Sequence, residues 1–139
     1  MSQIIIASGP VIVENNRVLL SQHGDTEFWK FCGGQNREGE SLIETAARRA
    51  KEELGIDIEI TDQHPYLTHT IKETGQEKID VVLVHYLAER KGEVKPGADI
   101  RQWNWIPLEN LDKENLAPNI MPALRHFRLL PGSKQLDQN

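Results

Sequence analysis

The sequence predicts an α/β (α+β) domain, a mixed β-sheet sandwiched between helices. Three observations carry that prediction. Short runs rich in Ile and Val recur along the chain, a helix between residues 41 and 54 is marked at both ends, and the order of elements is strands, helix, strands, helix. The chain has 139 residues, which suits one compact domain and is long enough to bury a core without disulfide or zinc staples.

Residues 4–13 form the first expected strand, with Gly9-Pro10 marking a bend or bulge. Glu14, Asn15, Asn16 and Arg17 make a turn, because Asn tolerates positive φ. Residues 18–22 return as a strand, 23–26 are loop, and 28–31 are a short aromatic segment that ends at Cys32-Gly33-Gly34. Ser41 is placed to cap the next helix, and Glu44 completes a capping box with it. Ile43, Ala46, Ala47, Ala50 and Leu54 recur at helical spacing as one apolar stripe. Gly55 stands where a left-handed residue ends a helix. Strands are expected at 56–60, 66–71, 79–88 and 102–106, with a hairpin turn at 72–77. In the third of these strands, Ile79, Val81, Leu83, His85 and Leu87 share one face, while Val82, Val84 and Tyr86 share the other. Both faces are largely apolar, so this strand belongs at the centre of its sheet. Residues 118–130 read as a closing helix, and the polar tail 131–139 as a frayed end.

Composition removes several function classes. The formal charge is −5 and basic residues are scattered, which argues against binding a nucleic-acid backbone. The single cysteine, Cys32, excludes a disulfide framework and a cysteine zinc site. The first residues lack the basic start of a signal peptide, and no apolar run approaches the roughly 20 residues that span a bilayer. The expected location is the cytoplasm. An anionic small substrate would be repelled by so acidic a chain unless a cation were recruited locally.

The chemistry concentrates in residues 34–56, GQNREGESLIETAARRAKEELGI. Glu52 and Glu53 share one turn of the expected helix, behind a glycine pair and a loop that carries Glu38 and Glu40. At about 100° per residue, Glu44, Arg48 and Glu52 form a ridge of alternating charge, and Arg49 precedes Glu53 by one turn. A solvated face laced with ion pairs would look the same, each pair worth about 0.2–0.5 kcal/mol. The alanine stripe and the preceding Gly-Gly turn favour a built site instead.

The segment resembles the Nudix box, G-x5-E-x7-R-E-U-x-E-E-x-G-U, where U is a bulky aliphatic residue. Gly34, Glu40, Arg48, Glu52, Glu53, Gly55 and Ile56 take the fixed positions, and Ala50 stands at the inner aliphatic one. Trp29, Gly33-Gly34 and the late segment Trp105-Ile106-Pro107-Leu108 with Leu111 are also similar to that family, so the resemblance covers most of the chain. It implies a Nudix-type fold and metal-dependent hydrolysis of nucleoside diphosphate derivatives. It also implies Mg²⁺ or Mn²⁺ held by Glu52, Glu53 and the Gly33 carbonyl, and a small-molecule nucleotide substrate. Glu53, Glu52 and Arg48 become the catalytic candidates, with Arg48 orienting a box glutamate and pairing with Glu40. Homodimers are common in the family. Hard Mg²⁺ takes oxygen ligands, offsets diphosphate charge and polarises the attacked phosphorus.

Arg49 departs from the pattern, which has glutamate there. A guanidinium neither ligates a cation nor gives up its proton, and it is placed to pair with Glu53. Three outcomes are open: a site with fewer metals that takes its base from another loop, a poor enzyme, or a binding module for a nucleotide or a protein. Asp99, Glu89 and Glu93 are the candidate replacement acids. Trp29 and Tyr86, with Phe28, Phe31 and Trp103, are candidates to stack a nucleobase or else pack in the core. Arg37 and Lys30 are candidates to meet phosphate. Cys32 reads as a small buried hydrophobe or a reactive thiol, and His85 as a core residue or a substrate contact.

Overall fold

The computed structural model describes residues 3–130, so the expected tail at 131–139 lies outside the described residues. The elements are β1 Gln3–Val11, β2 Val13–Glu14, β3 Arg17–His23, β4 Gly34–Gln35, α1 Leu42–Leu54, β5 Asp57–Ile60, β6 Tyr66–Thr74, β7 Glu77–Lys91, β8 Ile100–Pro107 and α2 Ile120–His126, with a 3-10 turn at Leu108–Lys113. The strands make two sheets. In the larger, β1 runs parallel to β7 from Gln3↔Ile79 to Val11↔Leu87, while β4, β5 and β6 pair antiparallel to their neighbours. The smaller sheet is antiparallel, in the order β2-β3-β8.

The expected strand at 4–13 is thus divided between sheets. Val11 ends its pairing with β7, and Val13 begins pairing with Val18. Between them Ile12 is buried, and its carbonyl accepts the Leu19 amide. Gly9-Pro10 makes no bulge; the parallel register passes through it without interruption. The Asn15-Asn16 turn has the expected positive φ, 51° and 61°. β7 is central as its two apolar faces required, with β1, β5 and β6 all hydrogen-bonded to it.

Strand alternation splits the core in two. Val11, Val18, Leu20 and Phe31 face α2 and pack with Ile120 and Leu124. Their neighbours Ile12, Leu19 and Cys32 face α1 and pack with Ala50, Leu54 and Ile56. Helices therefore cover the strands on both sides, as the expected sandwich demands. The closing helix is shorter than the sequence suggests. It ends at His126 with Phe127 as its C-cap, and Arg128 turns left-handed with φ 60°. The core contacts expected of a long helix are made instead by a short helix and a bent tail, with Leu129 and Leu130 still packed on the same cluster. Leu108 and Leu111, three residues apart, are buried by the 3-10 turn. No helix among the described residues is long and apolar enough to cross a membrane.

Candidate active site

The site is assembled where β1 meets the segment before α1. Gly9 and residues 32–33 touch backbone to backbone: a Cβ on Gly9 would lie 1.8 Å from the Cys32 carbonyl oxygen, and one on Gly33 would lie 2.9 Å from the Ser8 oxygen. Buried Ser8 donates its hydroxyl to the Leu42 carbonyl at 2.7 Å, tying β1 to the first turn of α1. Ser41 and Glu44 form the complete capping box, and Gly55 closes the helix at φ 68°. Asn36 Nδ2 donates to Glu40 O and Thr45 Oγ1, both at 2.8 Å, which folds the acidic loop onto the helix.

The box side chains form one network. Arg48 grips Glu40 with Nε at 2.7 Å and Nη2 at 3.1 Å, and donates from Nη1 to Glu52 at 2.8 Å. The expected contacts of Arg48, with Glu40 and with a box glutamate, are both present. Hydrogen bonds from Arg48, then from Thr45, draw the Glu40 carboxyl from its ordinary 4.5 down to about 2. Among the described residues, Glu53 is the only buried carboxylate. The apolar stripe read from the sequence did not include it, yet it lies on the buried side of α1 beside Ala50 and Leu54. Its Oε1 accepts from the Gly33 amide at 2.9 Å and from Cys32 Sγ at 3.3 Å. Burial raises the Cys32 thiol well above its ordinary value, so Cys32 is an inert packing group.

Glu53 Oε2 has two close neighbours, His23 Nε2 at 3.0 Å and Arg49 Nη2 at 3.2 Å, yet neither is aligned to hydrogen-bond it. Burial holds the His23 imidazole below its usual value, against the pull of Glu53. Arg49 reaches further. Its Nη1 donates to Glu52 Oε1 at 2.9 Å, and its Nε to the Gly33 carbonyl at 3.4 Å. Gly33 O, Glu52 and Glu53 are the three donors that the box resemblance assigns to Mg²⁺ or Mn²⁺, and one guanidinium faces all of them. Among the described residues, no group of three His, Cys, Asp or Glu side chains is arranged to hold a metal ion. In this arrangement the donor set does not fit a divalent cation, because its oxygens are already turned to Arg49. The pairing of Arg49 with Glu53 is the contact the helical spacing suggested.

Of the candidate replacement acids, Asp99 lines an open groove together with His23, Asp25 and Arg101. Glu89 pairs across to Glu59 on β5, and Glu93 is exposed in the following loop. The structure thus brings Asp99 near the site and leaves the other two elsewhere.

Beside Gly33 and Gly34 opens a cavity of about 550 Å³. Phe28, Phe31 and Leu83 give it apolar walls, and Lys30 lies at its lining. His85 lies 95% out of solvent there, its ring 4.9 Å from that of Phe31 and its Nδ1 without a hydrogen-bond partner. Burial lowers its pKa to about 4, so the imidazole is neutral at physiological pH.

The structure separates the three residues the sequence marked for substrate binding. Arg37 is at the box, with Nη2 3.8 Å from Glu52 Oε2. Trp29 is not part of the cavity wall. It packs against the core cluster that contains Phe31, and its Nε1 donates to Glu114 at 3.2 Å. Tyr86 is buried on the face of β7 opposite His85 and does not reach the cavity. Ser8, Thr68, Thr70 and Asn119 also line it, and nothing in their sequence context marked them. They come together only because β1, β6 and β7 are neighbours and the segment before α2 closes beside them.

The NUDIX domain family model matches residues 5–127. Nudix hydrolase 5 of Arabidopsis thaliana is 30% identical over 105 residues, which cover 71% of this chain; the chain spans 34% of that relative's length. Among solved structures, the Escherichia coli ORF135 protein superposes with a TM-score of 0.69 at 24% identity, covering 91% of this chain and 90% of its own. A NUDIX hydrolase from Nitrosomonas europaea gives 0.76 at 15% identity over 91% and 89%. A Caenorhabditis elegans Ap4A hydrolase, in a binary complex, gives 0.68 at 22% identity over 89% and 95%. At these identities the structural likeness speaks for the fold.

Proposed function

The chain belongs to the Nudix family, and from that premise we propose that it hydrolyses the diphosphate linkage of a small nucleoside diphosphate derivative. The observation that carries this reading is the adjacency of two unlike surfaces. A cavity walled by Phe28, Phe31 and Leu83 suits a nucleobase, and the Gly33-Gly34 turn joins it directly to the charged box. In this reading Lys30, Arg37 and Arg49 meet the phosphates. Water attacks phosphorus, the bridging P–O bond breaks, and Glu53 Oε2, which lacks an aligned donor, takes the water's proton. Arg48 keeps Glu52 and Glu40 in place, and Glu52 in turn orients Arg49. Members of the family generally use divalent metal ions, and Mg²⁺ or Mn²⁺ is the ion to supply in an assay. The acidic charge and the small cavity suit a free nucleotide in the cytoplasm rather than a nucleic acid. The name of the Caenorhabditis elegans neighbour puts dinucleoside polyphosphates on the substrate panel.

The test is turnover on ADP-ribose, dinucleoside polyphosphates and nucleoside triphosphates, each with Mg²⁺, with Mn²⁺ and with chelator. Release of a nucleoside mono- or diphosphate, lowered about 100-fold or more by Glu53→Gln, is the expected result. Failure to cleave any member of the panel would refute hydrolysis. One observation favours a second reading, a nucleotide-binding module: Arg49 stands among the acids, and binding of a panel member without cleavage would support it.

A further inference from the structure

Arg49 does more than remove an acid from the box. Its side chain lies in a seat made for it. A Cβ on Gly34 would fall 2.3 Å from Arg49 Nε and 2.8 Å from its Cδ, so the bare Cα of Gly34 is the floor over which the side chain passes. The head then faces Gly33 O through Nε at 3.4 Å, Glu52 Oε1 through Nη1 at 2.9 Å and Glu53 Oε2 through Nη2 at 3.2 Å. A backbone carbonyl and two carboxylates around one positive centre is the donor set of a hard cation. Here the positive centre is covalent, always charged and only about a quarter exposed.

Charge supports the same conclusion. Glu40, Glu52 and Glu53 face Arg37, Arg48 and Arg49, three carboxylates against three guanidinium groups. The cluster is neutral as it stands, so it lacks the surplus negative charge that draws a divalent ion from water. A second positive ion would have to enter within a few ångströms of a guanidinium, in a pocket whose deepest oxygen is out of solvent.

We propose that Arg49 permanently takes the place of the cation between Gly33, Glu52 and Glu53. The ligand-free chain then takes up no divalent ion there, and the diphosphate of a nucleotide is met by the guanidinium itself. Nη1 and Nη2 each carry a second N–H beyond those turned to the carboxylates, and a guanidinium suits paired phosphate oxygens. The inference rests on the reading that this surface meets a diphosphate, but its test reads the ion and the ligand directly, with no need of turnover.

Two measurements decide it. Mn²⁺ binding to the ligand-free protein is followed by electron paramagnetic resonance in wild type, Arg49→Gln and Arg49→Glu. The expected result is no uptake by wild type at sub-millimolar Mn²⁺, and a site in both variants at least about tenfold tighter. Wild type binding Mn²⁺ as tightly as the variants, with the ion lost in Glu53→Gln, would overturn the proposal. ADP binding in excess chelator is then measured by calorimetry. Wild type is expected to bind, and Arg49→Gln to bind about tenfold more weakly. ADP that binds only when a divalent ion is present overturns the proposal from wild-type protein alone, whether or not the variants fold. Hydrolysis could fail on every substrate and leave both results unchanged.

Discussion

Arg48 holds both ends of the acidic loop, donating to the Gln35 carbonyl at 2.8 Å and to Glu40, and its bond to Glu40 makes that loop sensitive to acid. The Glu40 carboxyl titrates at about 2 in the folded chain and near 4.5 when unfolded, chiefly because Arg48 donates to it. A depressed carboxylate pKa stabilises the fold above the unfolded value, and that contribution is lost as pH falls through the folded value. Between about pH 4.5 and 2, wild type is therefore expected to lose Tm more steeply than Glu40→Gln. Thermal melts followed by circular dichroism across that range check it, and parallel curves would count against the clamp. At this scale much was legible. Spacing alone placed Glu52 and Glu53 together and set Arg49 against Glu53, because a helix fixes which side chains meet at i+4. It could not say that Glu53 faces inward while Glu52 faces out, since that depends on how the helix is rolled against β1. Nor could it rank His85 above Tyr86. Alternation correctly put them on opposite faces of β7, but the face that meets a cavity is decided by strands far away in sequence.

The elements obey local signals where those signals are complete. The capping box and the terminal glycine set α1 within a residue of expectation, because each satisfies a specific backbone group. Ser41→Ala should cost about 1 kcal/mol in urea denaturation. Gly9→Ala should cost about 3 kcal/mol or prevent folding, since the added methyl would strike the Cys32 carbonyl, which cannot move without shifting the glycine turn. Equal costs for the two would mean that β1 and the 32–33 segment are not in contact. Gly9 also shows where local signals mislead. Beside Pro10 it looked like a bend, but the glycine serves a close approach between chains of backbone, which leaves no mark on its immediate neighbours. The closing helix was overextended for a related reason. Apolar spacing continued past His126, while the left-handed turn at Arg128 carries no glycine to announce it.

At the scale of the whole molecule, the order of elements pointed to the sandwich and the family resemblance agreed, but the division into two sheets arises at Ile12, where one run of β-branched residues serves both. The cavity is likewise a whole-molecule product, drawing on β1, β6, β7 and the segment before α2. Phe28 lies on its wall yet is 37% exposed, so Phe28→Ala should leave Tm nearly unchanged while weakening nucleotide binding roughly tenfold, in line with about 1–3 kcal/mol for a lost stacking partner. Isothermal titration with the best ligand of the panel measures it, and unchanged affinity would move the base out of this cavity.

The loop after β7 leans on the end of α1: the Gly97 amide donates to the Glu53 carbonyl, and the Lys95 amide to that of Leu54. The helix that carries the acids is thus finished by a segment about forty residues downstream. β1 waits in the same way for β7, its parallel partner across most of the chain. During synthesis the whole box emerges well before either closure is available. Until residue 97 has arrived, the Glu53 and Leu54 carbonyls at the end of α1 lack the amides that close the helix. The order of synthesis thus runs against the order of closure: the box is made first, and the contacts that finish it come from residues made later.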